Sequence, residues 1–173
     1  MHPPLLLTGG PAAGKSATSL RLAKALHRVA VIDVDDIRHL VVAGHAAPWE
    51  GDEGARQQRI GVRNACDLTQ SFLDARIEVI MSDVLSPDTF QLYRERLPSL
   101  VIVRFRLPLI EARRRAMLRP VHLTDNEFDD LHAQEFANDL PADHIIDVEQ
   151  MSLQEQSDAV MQVWSGHARR RSR

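Results

Sequence analysis

The stretch TGGPAAGKSATS, from Thr8 to Ser19, decides how this chain is read. It follows the apolar run Leu5-Leu6-Leu7 and leads into SLRLAKALHR, whose apolar residues recur at helical spacing. Three glycines and a proline surround one lysine. The 173 residues include only two lysines, Lys15 and Lys24, so position 15 selects a compact ammonium in a chain that otherwise uses arginine. Gly9 to Ser16 matches G-x-x-x-x-G-K-[ST] without a gap, between an expected strand and an expected helix. Glycines let the backbone curl until successive N–H groups converge on phosphate oxygens, and the following helix adds its positive N-terminal end. Gly9, Gly10, Pro11, Ala12, Ala13, Gly14, Lys15, Ser16 and Ala17 are therefore expected to hold a nucleoside triphosphate. Lys15 reaches the β- and γ-phosphates, and Ser16 holds Mg²⁺.

Composition narrows the class. Hydrophobic residues make up 44% and charged residues 26%, as in an ordinary globular domain. Net charge is −3; without the four arginines of the terminal GHARRRSR the body is at −7, which argues against a nucleic-acid surface. The single cysteine, Cys66, excludes an internal disulfide and is expected in the core of a cytoplasmic protein. No charged leader is evident, and no apolar run approaches the ~18 residues of a membrane span. No feature sets an oligomeric state.

Working outward from the loop, strands are expected over 4–8, 29–34, 77–84, 100–107 and 144–149. Helices are expected over 15–27, 55–75, 87–97 and 110–118, then from the Thr124/Glu127 capping box with Phe128, Leu131 and Phe136 on its apolar face, and at the C-terminus. The segment 43–54, rich in Gly, Pro and acid, reads as a loop. Apolar strands alternating with helices specify an α/β three-layer sandwich around a five-stranded parallel sheet. One domain is expected over 1–166, with 167–173 a basic flexible tail.

The second strand runs into VIDVDDIRHL. Asp33 and Asp35 alternate at the strand's carboxyl end, where ligands of parallel sheets gather, so one can face a metal and the other an acceptor. Asp36 is expected to cap a helix beginning at Ile37.

A phosphate-binding loop followed by D-x-D and an arginine three residues later resembles the P-loop small-molecule kinases of the nucleoside-monophosphate-kinase-like class, such as the shikimate, gluconate and adenylylsulfate kinases and chloramphenicol phosphotransferase. The resemblance covers about residues 4–150 and is sharp only in the loop and in 33–38. It implies that Asp35 is the catalytic carboxylate at the acceptor, Asp33 a metal-side or orienting carboxylate, and Arg38 a substrate contact. Ser82-Asp83 ends the third strand. Asp83 there corresponds to a Walker-B-like carboxylate that would hold Mg²⁺ through water. Arg115 and Arg119, one helical turn apart, resemble catalytic lid arginines, which puts a lid around 112–126. Residues 148–151 would border the adenine. Trp49 and Arg63 are carried as candidate acceptor contacts, in a segment that matches no full substrate signature.

Together these features predict an ATP- and Mg²⁺-dependent kinase acting on a hydroxyl of a small molecule, with no nucleic-acid or membrane partner. The N-K-x-D segment of regulatory GTPases is missing from the sequence. A catalytically idle nucleotide-binding module read by a partner, and a toxin-like nucleotide-sugar kinase, remain alternatives.

Overall fold

The computed structural model describes residues 1–117, 124–137 and 140–170, the side chains of Gln134, Phe136, Arg169 and Arg170 excepted. The apolar runs form β1 (Leu5–Gly9), β2 (Val29–Asp33), β3 (Glu78–Ser82), β4 (Val101–Arg106) and β5 (His144–Asp147). They pair in the order β2-β3-β1-β4-β5, every pair parallel. Between them run α1 (Lys15–Ala23), α2 (Val34–Arg38), α3 (Gly51–Asp74), α4 (Pro87–Arg96), α5 (Leu109–Ala116), α6 (Asp125–Ala137) and α7 (Leu153–Arg170).

Alternation along β1 divides the core. Leu5 and Leu7 pack with Val103, Phe105, Leu22 of α1 and Val160 and Trp164 of α7, whereas Leu6 packs with Met81, Ile102, Val62 and Cys66 of α3 and Tyr93 of α4. A strand buried on both faces has no polar side, which is why these runs are almost continuously apolar. The result is the expected three-layer α/β sandwich. No described helix is long and apolar enough to cross a membrane.

The order places β1 at the centre, with β2 and β3 to one side and β4 and β5 to the other. The loop after β1 thus opens at the topological switch point, where the connections diverge and leave a crevice.

Most ends shift by a few residues, α1 stopping at Ala23 where the sequence reading runs to 27, and three boundaries change what that reading implied. First, β2 stops at Asp33, and the chain turns at once into α2, whose N-cap is Asp33 itself, its carboxylate accepting from the Asp35 N–H at 3.3 Å. The cap is therefore Asp33, not Asp36, and Asp35 lies on a helix instead of alternating along a strand. Second, α3 begins at Gly51, inside the expected loop, entered through a positive φ of 62°. Third, α7 continues through Arg170, and His167 Nε2 lies 2.9 Å from His144 Nε2, so helix extends into the expected tail. The Thr124/Glu127 capping box forms as read, with Thr124 N–H donating to Glu127 at 2.8 Å; the side chain of Phe136 lies outside the described residues.

Candidate active site

The loop between β1 and α1 is backbone made concave. Gly9 takes φ 135°, Ala12 58° and Gly14 94°. At Gly9 a side chain is excluded twice over: the φ disfavours L-residues, and a Cβ would lie 2.5 Å from the Phe105 carbonyl oxygen of β4. Ala12 holds its left-handed conformation without glycine, at a cost of order 1 kcal/mol. The Lys15 ammonium curls over the loop and donates to the carbonyls of Gly9 at 2.7 Å and Gly10 at 3.0 Å. Desolvation lowers its pKa, opposed by the carboxylates of Asp35, Glu135, Asp83 and Asp33.

Ser16 Oγ donates to Asp33 Oδ2 at 2.9 Å. A hydroxyl and a carboxylate side by side, at the lip of the loop, suit Mg²⁺, which takes few protein oxygens and completes its shell with phosphate and water. Among the described residues no group of three or more His, Cys, Asp or Glu could hold a metal unaided, so a metal here would depend on the nucleotide.

Asp83, expected to hold Mg²⁺ through water, is buried and hydrogen-bonded on both oxygens. Its Oδ1 accepts from Arg38 at 2.6 Å and from the Val84 N–H at 2.8 Å, and its Oδ2 accepts from the Tyr93 hydroxyl at 2.8 Å. Burial raises its pKa against the pull of Arg38 and Tyr93. Arg38, expected to touch substrate, is buried too and spends its second terminal nitrogen on Asp35. Asp35 is 63% exposed and stands at the mouth of the site. Burial opposes the Arg38 charge, but Asp83 and Asp35 outweigh it and raise the guanidinium pKa above its ordinary value.

The fold has known counterparts. No protein-family model matches the chain, and no curated protein matches it. Among solved structures it is similar to a sugar kinase from Janibacter sp. HTCC2649, at TM-score 0.76 and 15% identity over 97% of this chain and 96% of that one. It is similar to a shikimate kinase from Acinetobacter baumannii in complex with shikimate, at 0.64 and 21% identity over 93% and 92%. A gluconokinase from Sinorhizobium meliloti 1021 aligns at 0.64 and 18% identity over 96% and 92%. The fold is that of the P-loop small-molecule kinases.

Within this kinase fold, the remaining sequence candidates are dispersed. Arg115 is half-buried and donates to Glu111 at 2.9 Å and to the carbonyls of Val148 at 2.6 Å and Glu149 at 3.1 Å, which ties α5 to the segment after β5. Hydrogen bonds from Arg114 and Arg115 bring the Glu111 pKa down to about 2. Arg119, with residues 118–123 of the lid expected around 112–126, lies outside the described residues. Trp49 is 45% exposed ahead of α3, and Arg63 is exposed on α3; among the described contacts, none joins either to the loop or to Asp35.

Sequence reasoning missed Tyr93, Arg104, His132 and Glu135. Arg104 of β4 donates to Glu135 of α6 at 2.5 Å, and His132 Nε2 lies 2.8 Å from the Leu107 carbonyl. Arg104, His132 and Glu135, with Gly10, line a cavity of about 140 Å³ beside the loop. The signal for Arg104 was a charge inside the apolar run LVIVRFRL; Tyr93 is the chain's one tyrosine but sits in an unremarkable helix.

Proposed function

We propose that the chain is a phosphotransferase that moves the γ-phosphoryl group of ATP, with Mg²⁺, to a hydroxyl of a small molecule such as an antibiotic, a sugar acid or a similar metabolite. The observation that carries this reading is the division of labour between two neighbouring carboxylates. Asp33 bonds the loop serine on the phosphate side, whereas Asp35, two residues on, is exposed at the cleft with one oxygen held by buried Arg38. A module that only bound nucleotide would need the first arrangement and not the second.

In this reading the loop amides from Gly9 to Ala17 and the Lys15 ammonium cradle the phosphates, and Lys15 leaves the Gly9 and Gly10 carbonyls for phosphate oxygens. Ser16 and Asp33 would hold Mg²⁺, and Asp83 would steady this end of the site from behind. The metal's contribution is to neutralise charge on the β- and γ-phosphate oxygens. Asp35 orients the acceptor hydroxyl in line with the γ-phosphorus and receives its proton. Phosphoryl transfer is mainly a matter of positioning and charge stabilisation, so a correctly aimed carboxylate is worth more than a strong base. Arg115 and Arg119 are the candidates for bringing positive charge to the transferring group, and a lid that closed with them would exclude competing water. A cytoplasmic setting goes with this reading.

The test is ADP release across a panel of hydroxyl compounds, with wild type and Asp35→Asn side by side. The expected result is a compound that stimulates the wild type and not Asp35→Asn, while both bind ATP with affinities within about threefold. Transfer by Asp35→Asn at the wild-type rate removes Asp35 from the reaction. Tight ATP binding with no ADP release to any compound or to water points to the idle module instead.

A further inference from the structure

Asp35 is the end of a buried chain that starts two helices away. The Tyr93 hydroxyl, on α4 and fully buried, donates to Asp83 Oδ2 at 2.8 Å. Asp83 Oδ1 accepts from one terminal nitrogen of Arg38 at 2.6 Å, and the other terminal nitrogen donates to Asp35 Oδ1. Side-chain exposure is 0% at Asp83 and 7% at Arg38, then rises to 63% at Asp35. The chain thus runs from rigid core to open cleft.

A guanidinium is a planar fork, so fixing one prong fixes the direction of the other. Asp83 is fixed in turn by the Val84 N–H at 2.8 Å and by the phenol. Burial and the Asp83 charge keep the Tyr93 phenol protonated, its pKa well above the ordinary value, so it remains a donor. The stem of Arg38 takes up room that Gly61 leaves. A Cβ on Gly61 of α3 would lie 2.8 Å from Arg38 Cγ. Gly61 lies mid-helix, where glycine costs helix stability and alanine would be preferred, so its place opposite Arg38 has a cost of its own.

We propose that Tyr93, Asp83 and Gly61 are positioning residues for phosphoryl transfer: they seat Arg38 so that one oxygen of Asp35 is pinned and the other is aimed at the acceptor hydroxyl. The inference rests on the reading of Asp35 as the carboxylate that engages the acceptor. It assigns a role to residues that touch neither nucleotide nor acceptor, one of them 58 positions beyond Asp35 in the chain.

The experiment compares wild type, Tyr93→Phe, Gly61→Ala and Asp35→Asn, and the double variant of Tyr93→Phe with Asp35→Asn. The readout is ADP release from MgATP with the panel compound that most stimulates wild type, and with water as the acceptor if no compound does. Tyr93→Phe removes one hydroxyl and keeps the ring; Gly61→Ala adds one methyl and leaves Tyr93 intact. Both are expected to lower kcat about tenfold while the KM for ATP stays within about twofold. In the Asp35→Asn background the further change to Phe at position 93 is expected to cost less than about twofold, because the two residues act through one path.

A merely structural role predicts something else: lower thermal stability with kcat of the folded fraction unchanged, or the same loss from Tyr93→Phe with or without Asp35. Either result overturns the inference while leaving the kinase reading standing. If the wild type releases no ADP with any acceptor, water included, the kinase reading falls and takes this inference with it.

Discussion

Six consecutive residues, Gly9 to Gly14, make the proposed phosphate side of the cleft out of backbone, whereas the proposed acceptor side takes four side chains drawn from positions 35, 38, 83 and 93. The two halves fail in different ways. A loop of N–H groups depends on φ angles and on clearance from the next strand, so the damaging change is an added atom. A side-chain network depends on every charge having a partner, so the damaging change is a removed one.

The largest effect is expected at Gly9. Gly9→Ala puts a methyl 2.5 Å from a backbone oxygen of β4, at a φ of 135° that alanine rarely adopts. Backbone on both sides of the contact leaves nothing flexible to give way. We expect loss of about 4 kcal/mol or more of stability, together with loss of ATP binding, read by thermal unfolding and calorimetric titration. Unchanged binding in a folded Gly9→Ala protein would mean that the loop can form by another path.

Arg38 should come next. Arg38→Met keeps the stem against Gly61 but strands Asp83 as a buried, unpaired carboxylate, at a cost of about 3 kcal/mol at neutral pH. This loss carries a pH signature. The Asp83 pKa already lies above its ordinary value because burial outweighs its partners, and without Arg38 it rises further. A folded-state pKa above the unfolded value means that the folded chain keeps a proton the unfolded chain releases. Stability therefore falls as pH rises between the two values, and the deficit of Arg38→Met against wild type should narrow as pH is lowered. Chemical unfolding of both proteins across pH checks it; a deficit independent of pH would place the cost in lost packing of the stem.

The same contrast explains how much of the molecule was legible in its sequence. The loop could be read because its parts are contiguous and their spacing is set by the backbone they build. The strands could be read because period-2 burial on both faces leaves continuous apolar runs, and the structure moves their ends by at most three residues. The start of α3 could not: Gly51, Asp52 and Gly54 are loop-like by composition, and no local pattern announces the close approach of Gly54 to the Ala47 carbonyl in the first turn of the helix. Asp83 marks the limit most clearly. A strand-end aspartate next to a phosphate loop suggests a metal ligand, yet its surroundings are decided by Tyr93 and Arg38, 10 and 45 residues away. No local pattern encodes which buried partner a carboxylate will meet.

The smallest expected effect is also the most selective. Tyr93 owes its place to α4, and α4 starts at a capping box in which Ser86 Oγ accepts from the Thr89 N–H at 3.3 Å and Thr89 Oγ1 accepts from the Ser86 N–H at 2.8 Å, with Pro87 at the first helical position. Ser86→Ala removes one half of this reciprocal cap, at about 1 kcal/mol. The box lies at the same end of the sheet as the phosphate loop but bonds only within α4. If the cleft were one rigid body, loosening α4 would disturb nucleotide and acceptor alike. With the backbone-built and side-chain-built halves as distinct as the structure makes them, Ser86→Ala should lower turnover two- to threefold through Tyr93 and leave ATP affinity at its wild-type value. Equal losses on both sides, measured by calorimetry and ADP release on one preparation, would join the two halves into a single unit.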